Sequence, residues 1–112
     1  MSNNKTFYLR NKSGSPVGCV AWFVDENIVS FTVSVCAKHD TFHKSLGRQI
    51  ACNRLSNPSR INSFVINNSS NVMKEIMTVI AKGHALSSHD NLQTSSIFPQ
   101  RAINSAREWL KK

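Results

Sequence analysis

The sequence predicts an α+β fold: an antiparallel β-meander of three strands followed by a helix, a short strand and two helices, packed on one face of the sheet. Three observations predict it. Apolar residues recur at a period of two between residues 6 and 35, broken by the turn clusters NKSGSP and DEN. The next segment changes to helical spacing and ends where Pro58 forbids continuation. Two further segments, NVMKEIMTVIAKGHAL and IFPQRAINSAREWLKK, again show helical spacing. A length of 112 residues suits one domain with a single modest core, residues 1–112 together.

Each element follows from local pattern. TFYLR (6–10) alternates weakly and is aromatic, as a strand requires. PVGCVAWFVD (16–25) is apolar on both parities: Cys19, Ala21 and Phe23 on one, Val20, Trp22 and Val24 on the other. That describes a strand covered on both faces or lying centrally. DEN (25–27) makes a short hairpin connection. In NIVSFTVSVCAK, Val29, Phe31, Val33 and Val35 point one way, and Ser30, Thr32, Ser34 and Cys36 the other.

Asp40 or Thr41 is the expected cap of a helix that runs to about Leu55. SFVIN (63–67) is the fourth strand candidate. In the second helix, capped by Ser70 or Asn71, apolar residues cover most of the circumference, so it should be largely buried, and Gly83 weakens its end. Residues 87–96 are polar and form a loop. Pro99 suits the first turn of the closing helix. Its stripe is Ala102, Ile103, Ala106, Trp109 and Leu110, with Arg101, Asn104, Arg107 and Lys111 off it. There is no internal repeat.

Fourteen Lys and Arg against six Asp and Glu give a net charge of +8, which attracts polyanions or phosphorylated small molecules. No apolar run reaches bilayer length and MSNNKTFYLR lacks a signal-peptide core, so a cytoplasmic protein without a membrane role is expected. Cys19, Cys36 and Cys52 form no CxxC pair and read as buried free thiols. His39 and His43 sit four apart without an HExxH pattern, and no P-loop, GxGxxG or nucleophile elbow is present. The expectation is a non-enzyme with no cofactor and no metal.

The ligand chemistry points to the helix FHKSLGRQIACNRL. At 100° per residue, Leu46, Gly47, Ile50 and Ala51 share one stripe, and Arg54 interrupts it. Arg48 lies on the flank near Lys44 and Leu55. Gly47 costs about 1 kcal/mol against alanine, so it should face a neighbour that approaches closely. Arg54 needs an anionic partner or a route to solvent; Asp40, Asp25 and a C-terminal carboxylate are the structural candidates. Guanidinium forks match phosphate oxygens, which makes Arg48, Lys44, Arg54 and Arg101 candidate ligand residues. Tyr8, Trp22, Phe98 and Trp109 are the aromatics able to stack a base, and Asn91 or Asn104 could read its edge. Phe98 and Asn91 are chosen from these.

A strand ending in SVC, then KHDTF and GRQIACNRL, resembles a pattern of small phage proteins, K-x-D-x-F followed by G-R-x-I-A-x-x-R-L. It is most similar to the phage anti-Thoeris nucleotide sponges, and the likeness covers about 20 of the 112 residues. The resemblance implies a non-enzymatic anti-defence protein of the infected host's cytoplasm. Such a protein sequesters cyclic ADP-ribose isomers made by TIR-domain enzymes, or cyclic oligonucleotides. It implies a homo-oligomer with ligand between subunits, gripped by arginines and an aromatic ring; Arg48 is the residue carried over. Phe98, Asn91 and Arg101 rest on their chemistry alone.

Two alternatives remain open. One is a basic nucleic-acid-binding phage regulator or an anti-CRISPR-type inhibitor, for which Lys38, Lys44, Arg48, Arg54 and Arg60 supply phosphate contacts, while Ser30, Thr32 and Ser34 are a thin base-reading face. The other is a protein–protein inhibitor whose basic face meets an acidic partner.

Overall fold

The chain runs β1 (Lys5–Arg10), β2 (Pro16–Asp25), β3 (Ile28–Val35), α1 (Lys44–Arg54), β4 (Asn62–Val65), α2 (Val72–Ala81) and α3 (Gln100–Leu110). The computed structural model describes residues 5–36, 43–57, 61–66, 71–82 and 98–111. The expected caps Asp40 and Thr41, His39, Arg60, Gly83 and the loop at 87–96 lie outside the described residues.

The strands form one antiparallel sheet in the order β1-β2-β3-β4, so the three-stranded meander gains a fourth member. That short strand pairs Asn62–Val65 with Phe31–Ile28 and begins one residue before the expected run. The β2–β3 turn has φ of 58° at Glu26 and 104° at Asn27, the two-residue geometry that matches the twist of paired strands. The Asn27 carbonyl then accepts from Ile66 N at 2.8 Å, which ties β4 to the hairpin. Between β1 and β2, Asn11 Oδ1 accepts from Ser13 N and Ser15 N, each at 3.0 Å. The register slips between Leu9 and Arg10, leaving Val17 as the extra residue of a bulge.

The period-two pattern sorts the sheet into two unlike faces. Phe7, Leu9, Val20, Val29 and Phe31 join Phe64 beneath α2 and α3. Phe31 is at the centre of that cluster, edge-on to Phe64 at 6.0 Å and stacked on Phe98 at 5.9 Å. The opposite face carries Cys19, Ala21, Thr32 and Ser34, and α1 covers it. This corrects the expectation that all helices pack on one face. The cause is residue size: a face of small side chains lets a helix approach until hydroxyls reach its backbone. Thr32 Oγ1 donates to Ala51 O at 2.6 Å, and Ser34 Oγ donates to Gly47 O at 2.9 Å. Ala51 is among the last four carbonyls of α1, which a helix cannot satisfy internally. The hydroxyl face is therefore covered rather than a surface for reading bases. β2 is buried on both parities from Val17 to Ala21, as its pattern requires, but Trp22 and Phe23 are half-buried and Val24 is exposed, short of the full expectation.

Close packing also fixes Gly18, where a Cβ would lie 2.6 Å from the Ser34 carbonyl oxygen and 3.0 Å from Val35 Cγ2. Asn71 caps α2 through Oδ1, which accepts from Lys74 N at 3.1 Å. α2 is less enclosed than its composition suggests: Ile76, Met77 and Ile80 are buried, while Val72, Met73 and Val79 are half-buried. α1 starts at Lys44 with His43 as N-cap and no side-chain cap bond. Pro99 precedes the first turn of α3, and its carbonyl accepts from Ala102 N and Ile103 N. Among the described residues no helix is long and apolar enough to cross a membrane.

Candidate ligand-binding site

The predicted residues divide between the two sides of the sheet. Lys44 and Arg48 are exposed on α1. The Lys44 ammonium lies 5.3 Å from the Tyr8 ring centroid, and the Tyr8 hydroxyl donates to Lys44 O at 3.5 Å. Arg48 stands close enough to the buried thiol of Cys19 to act on its titration. Burial pushes that thiol up to about 11, neighbouring Cys52 adds to the rise, and Arg48 partly offsets it. Cys19 is buried as expected, whereas Cys36 and Cys52 are half-buried.

Arg54 donates from Nη1 to the carbonyl oxygen of Val33. That carbonyl lies beyond Phe31, the last β3 residue paired with β4. The guanidinium thus holds α1 to the end of the sheet, a contact the carboxylate-seeking argument from sequence did not anticipate. Phe98 is corrected more sharply. It is 3% exposed and stacked on Phe31 inside the core, so its ring is not available to a ligand. The entry to α3 carries it there: Pro99 is extended, and Phe98 just before it stacks on Phe31 of β3. Asn91 lies outside the described residues.

Arg101 sits on the other layer, half-buried in the first turn of α3. Its Nη1 donates to the Cys36 carbonyl at 3.0 Å and reaches Cys36 Sγ at 3.2 Å. Around it a cavity of 430 Å³ opens between α3 and the β1–β2 turn. Among the described residues, Lys12, Arg101, Arg107 and Lys111 line it, against one carboxylate, Glu108. Pockets of about 300–1,000 Å³ are the ordinary size for small-molecule ligands.

The scaffold around the cavity is fixed locally. Ser105 Oγ donates to Arg10 O at 2.6 Å and pins α3 against β1. Arg107 Nε donates to Ala81 O at 3.0 Å, at the C-terminal end of α2, where unsatisfied carbonyls favour a cation. A carbonyl acceptor orients a guanidinium without cancelling its charge. Asn11, Asn104 and Ser105 add hydrogen-bonding groups to the lining. Together these can neutralise a compact phosphate and bond its ester oxygens.

Of the predicted residues among those described, this cavity takes Arg101 and also Asn104, named above as able to read a base edge. Sequence reasoning missed Lys12, Arg107, Glu108 and Lys111 as site members. A signal existed, since Arg101, Asn104, Arg107 and Lys111 all lie off the apolar stripe of α3. Their partner surface, the NKSGSP turn, is distant in sequence and reads only as a turn. His43 is exposed, and among the described residues no group of three or more His, Cys, Asp or Glu converges on a metal-sized space. Comparison with protein families, with curated proteins and with solved structures finds no match.

Proposed function

We propose that this protein is a non-enzymatic binder that sequesters a phosphate-bearing small molecule in the cavity beside Arg101. The ligand is a cyclic nucleotide signal, and the role is that of a phage anti-defence sponge acting as a homo-oligomer in the host cytoplasm. The observation that carries the reading is the lining of that cavity: among the described residues it holds four cations, two of them oriented by backbone carbonyls, against one carboxylate. The resemblance of the α1 segment to the anti-Thoeris sponges supplies the ligand class. Arg48 and Arg101 lie on opposite sides of the sheet, so one protomer does not offer both to one ligand. An oligomer in which α1 of a second copy approaches the cavity would bring both charges to the same molecule.

Thermal shift and calorimetry with cyclic ADP-ribose isomers and cyclic di- and trinucleotides test the reading. A ligand at 100 times its Kd should stabilise the fold by about 2.7 kcal/mol. The compound released by heating should have an unchanged mass, as sequestration requires. No stabilisation by any of these compounds in a folded sample would overturn the proposal.

A second reading has its own support in the exposed Lys44 and Arg48 on α1, which suit nucleic-acid phosphates. It predicts duplex or single-strand binding that weakens steeply with salt, and a gel-shift series from low to moderate salt decides it.

A further inference from the structure

The two edges of the sheet are protected differently. β1, at one edge, carries Lys5 and Arg10, ends in a bulge, and has its Arg10 carbonyl taken by Ser105 of α3. β4, at the other, reads NSFV and has no charge, proline or bulge. Ile66 N donates to Asn27 O, so Asn62, Phe64 and Ile66 turn their backbone groups towards β3. Ser63 and Val65 therefore turn theirs outward, where no strand among the described residues pairs with them.

Exposed apolar side chains gather beside this edge. Ile28 shares the parity of Ser30, Thr32 and Ser34, so it lies on the face that α1 covers. Val65 pairs with Ile28, and Ser63 with Ser30, their hydroxyls 3.2 Å apart, so both β4 residues lie on this face too. On α1, Gly47 and Ala51 face the sheet, and Lys44 lies over Tyr8, which turns that flank of the helix towards β1. Leu46 and Ile50 occupy the other flank and overhang the β4 side, as does Arg54, which reaches the outward carbonyl of Val33. Ile28, Leu46, Ile50 and Val65 are four of the five large apolar side chains exposed among the described residues.

Charge points to the occupant. At a net +8, two copies of this chain repel over most of their surface. Residues 13–37 and 61–73, which include β2, β3 and β4, contain no Lys, Arg or His. Here two copies can meet without cation facing cation. We propose that two copies pair antiparallel through β4 about a two-fold axis normal to the sheet at Ser63, forming one continuous sheet. Ser63 of each copy exchanges backbone hydrogen bonds with Ser63 of the other, and Val65 with Ile61. So few hydrogen bonds do not hold a dimer by themselves. The apolar contact supplies the rest: the axis keeps both α1 helices on one face and carries Val65 and Ile28 of one copy beneath Ile50 and Leu46 of the other. The cavity beside Arg101 shares no lining residue with this interface, so the dimer goes beyond the binding reading and stands or falls separately.

The test is sedimentation velocity on the intact protein through a dilution series, in which wild type should pass from dimer to monomer. Val65→Lys puts a cation on an exposed edge position and should raise the dissociation constant about a hundredfold, because each lost apolar contact counts twice about the axis. Leu46→Glu, on the other side of the contact, should act alike, and it replaces Val65→Lys should that variant fail to fold. Where wild type forms a larger assembly, both substitutions should lower its mass. Ser63→Cys should yield a disulfide-linked dimer on mild oxidation, while wild type and Ser13→Cys, on the exposed β1–β2 turn, do not.

A wild type that stays monomeric throughout the series overturns the proposal. So does an oligomer whose mass is unaffected by either folded variant, since its copies then meet elsewhere. Dissociation in both variants without cross-linking of Ser63→Cys overturns the antiparallel pairing at Ser63.

Discussion

The two faces of the sheet are held by opposite means. Beneath α2 and α3 the contact is made of volume, with Phe31 between Phe64 and Phe98 and Leu9, Ile76 and Ile80 fully buried around it. Beneath α1 there is almost no volume to bury. Cys19, Ala21 and Ala51 form the apolar contact, and two hydroxyls of β3 bond two carbonyls of the helix. The first face loses stability when atoms are removed, and the second when atoms are added. The difference explains why β3 alternates between large apolar and small hydroxyl residues, and why a glycine is buried in α1.

Substitutions should follow these opposite rules. Phe31→Ala removes the ring at the centre of the large cluster and should cost about 3–5 kcal/mol in urea unfolding. Ala51→Leu adds atoms where a helix carbonyl already accepts from Thr32 at 2.6 Å, and should cost about 1–3 kcal/mol. Equal tolerance of Ala51→Leu and of a conservative exchange such as Leu9→Met would contradict the distinction between the faces. Thr32→Val keeps the shape but leaves the Ala51 carbonyl without its hydroxyl donor, for a loss of about 1.5 kcal/mol.

The last effect in this series vanishes at neutral pH. The Cys19 thiol is raised from 9.0 to about 11 in the fold, first by burial. Below pH 9 both folded and unfolded chains keep the proton and stability is unaffected by it. Between pH 9 and 11 the unfolded chain releases a proton that the fold retains, so stability falls as pH rises. Cys19→Ala should flatten that part of the wild-type curve. Parallel wild-type and variant curves above pH 9 would show that the thiol titrates normally.

The strand pattern made much of this fold legible. The double parity of PVGCVAWFVD announces a strand covered on both faces or lying centrally, and the Ser/Thr parity of β3 announces one large apolar face and one small hydroxyl face. Which helix covers which face was not legible, because hydroxyl residues alternate in the same way on a solvated face and on one bonded to a helix backbone. Gly47 was readable as a point of close approach, and its carbonyl does accept from the sheet. Arg54 was readable as a residue needing a partner, but a strand carbonyl left past the end of β4 has no sequence signature. Phe98 misled because an aromatic beside a proline and a polar tract resembles a surface residue, while its place in the core depends on Phe31, 67 positions earlier. The cavity was half legible: the polar side of α3 shows in its spacing, but the turn that faces it shows no sign of its partner.

The same comparison of faces yields the most direct test of the proposed function. Binding of cyclic ADP-ribose isomers and cyclic oligonucleotides should be measured by calorimetry on wild type, Arg101→Ala and Arg48→Ala, each with its oligomeric mass. Loss of binding by at least about tenfold in Arg101→Ala, the scale of one charge-assisted hydrogen bond, is the result predicted for a ligand held in the cavity beside α3. Undiminished binding in a folded Arg101→Ala variant, with loss in Arg48→Ala alone, would contradict it and assign the ligand to the α1 side of the sheet.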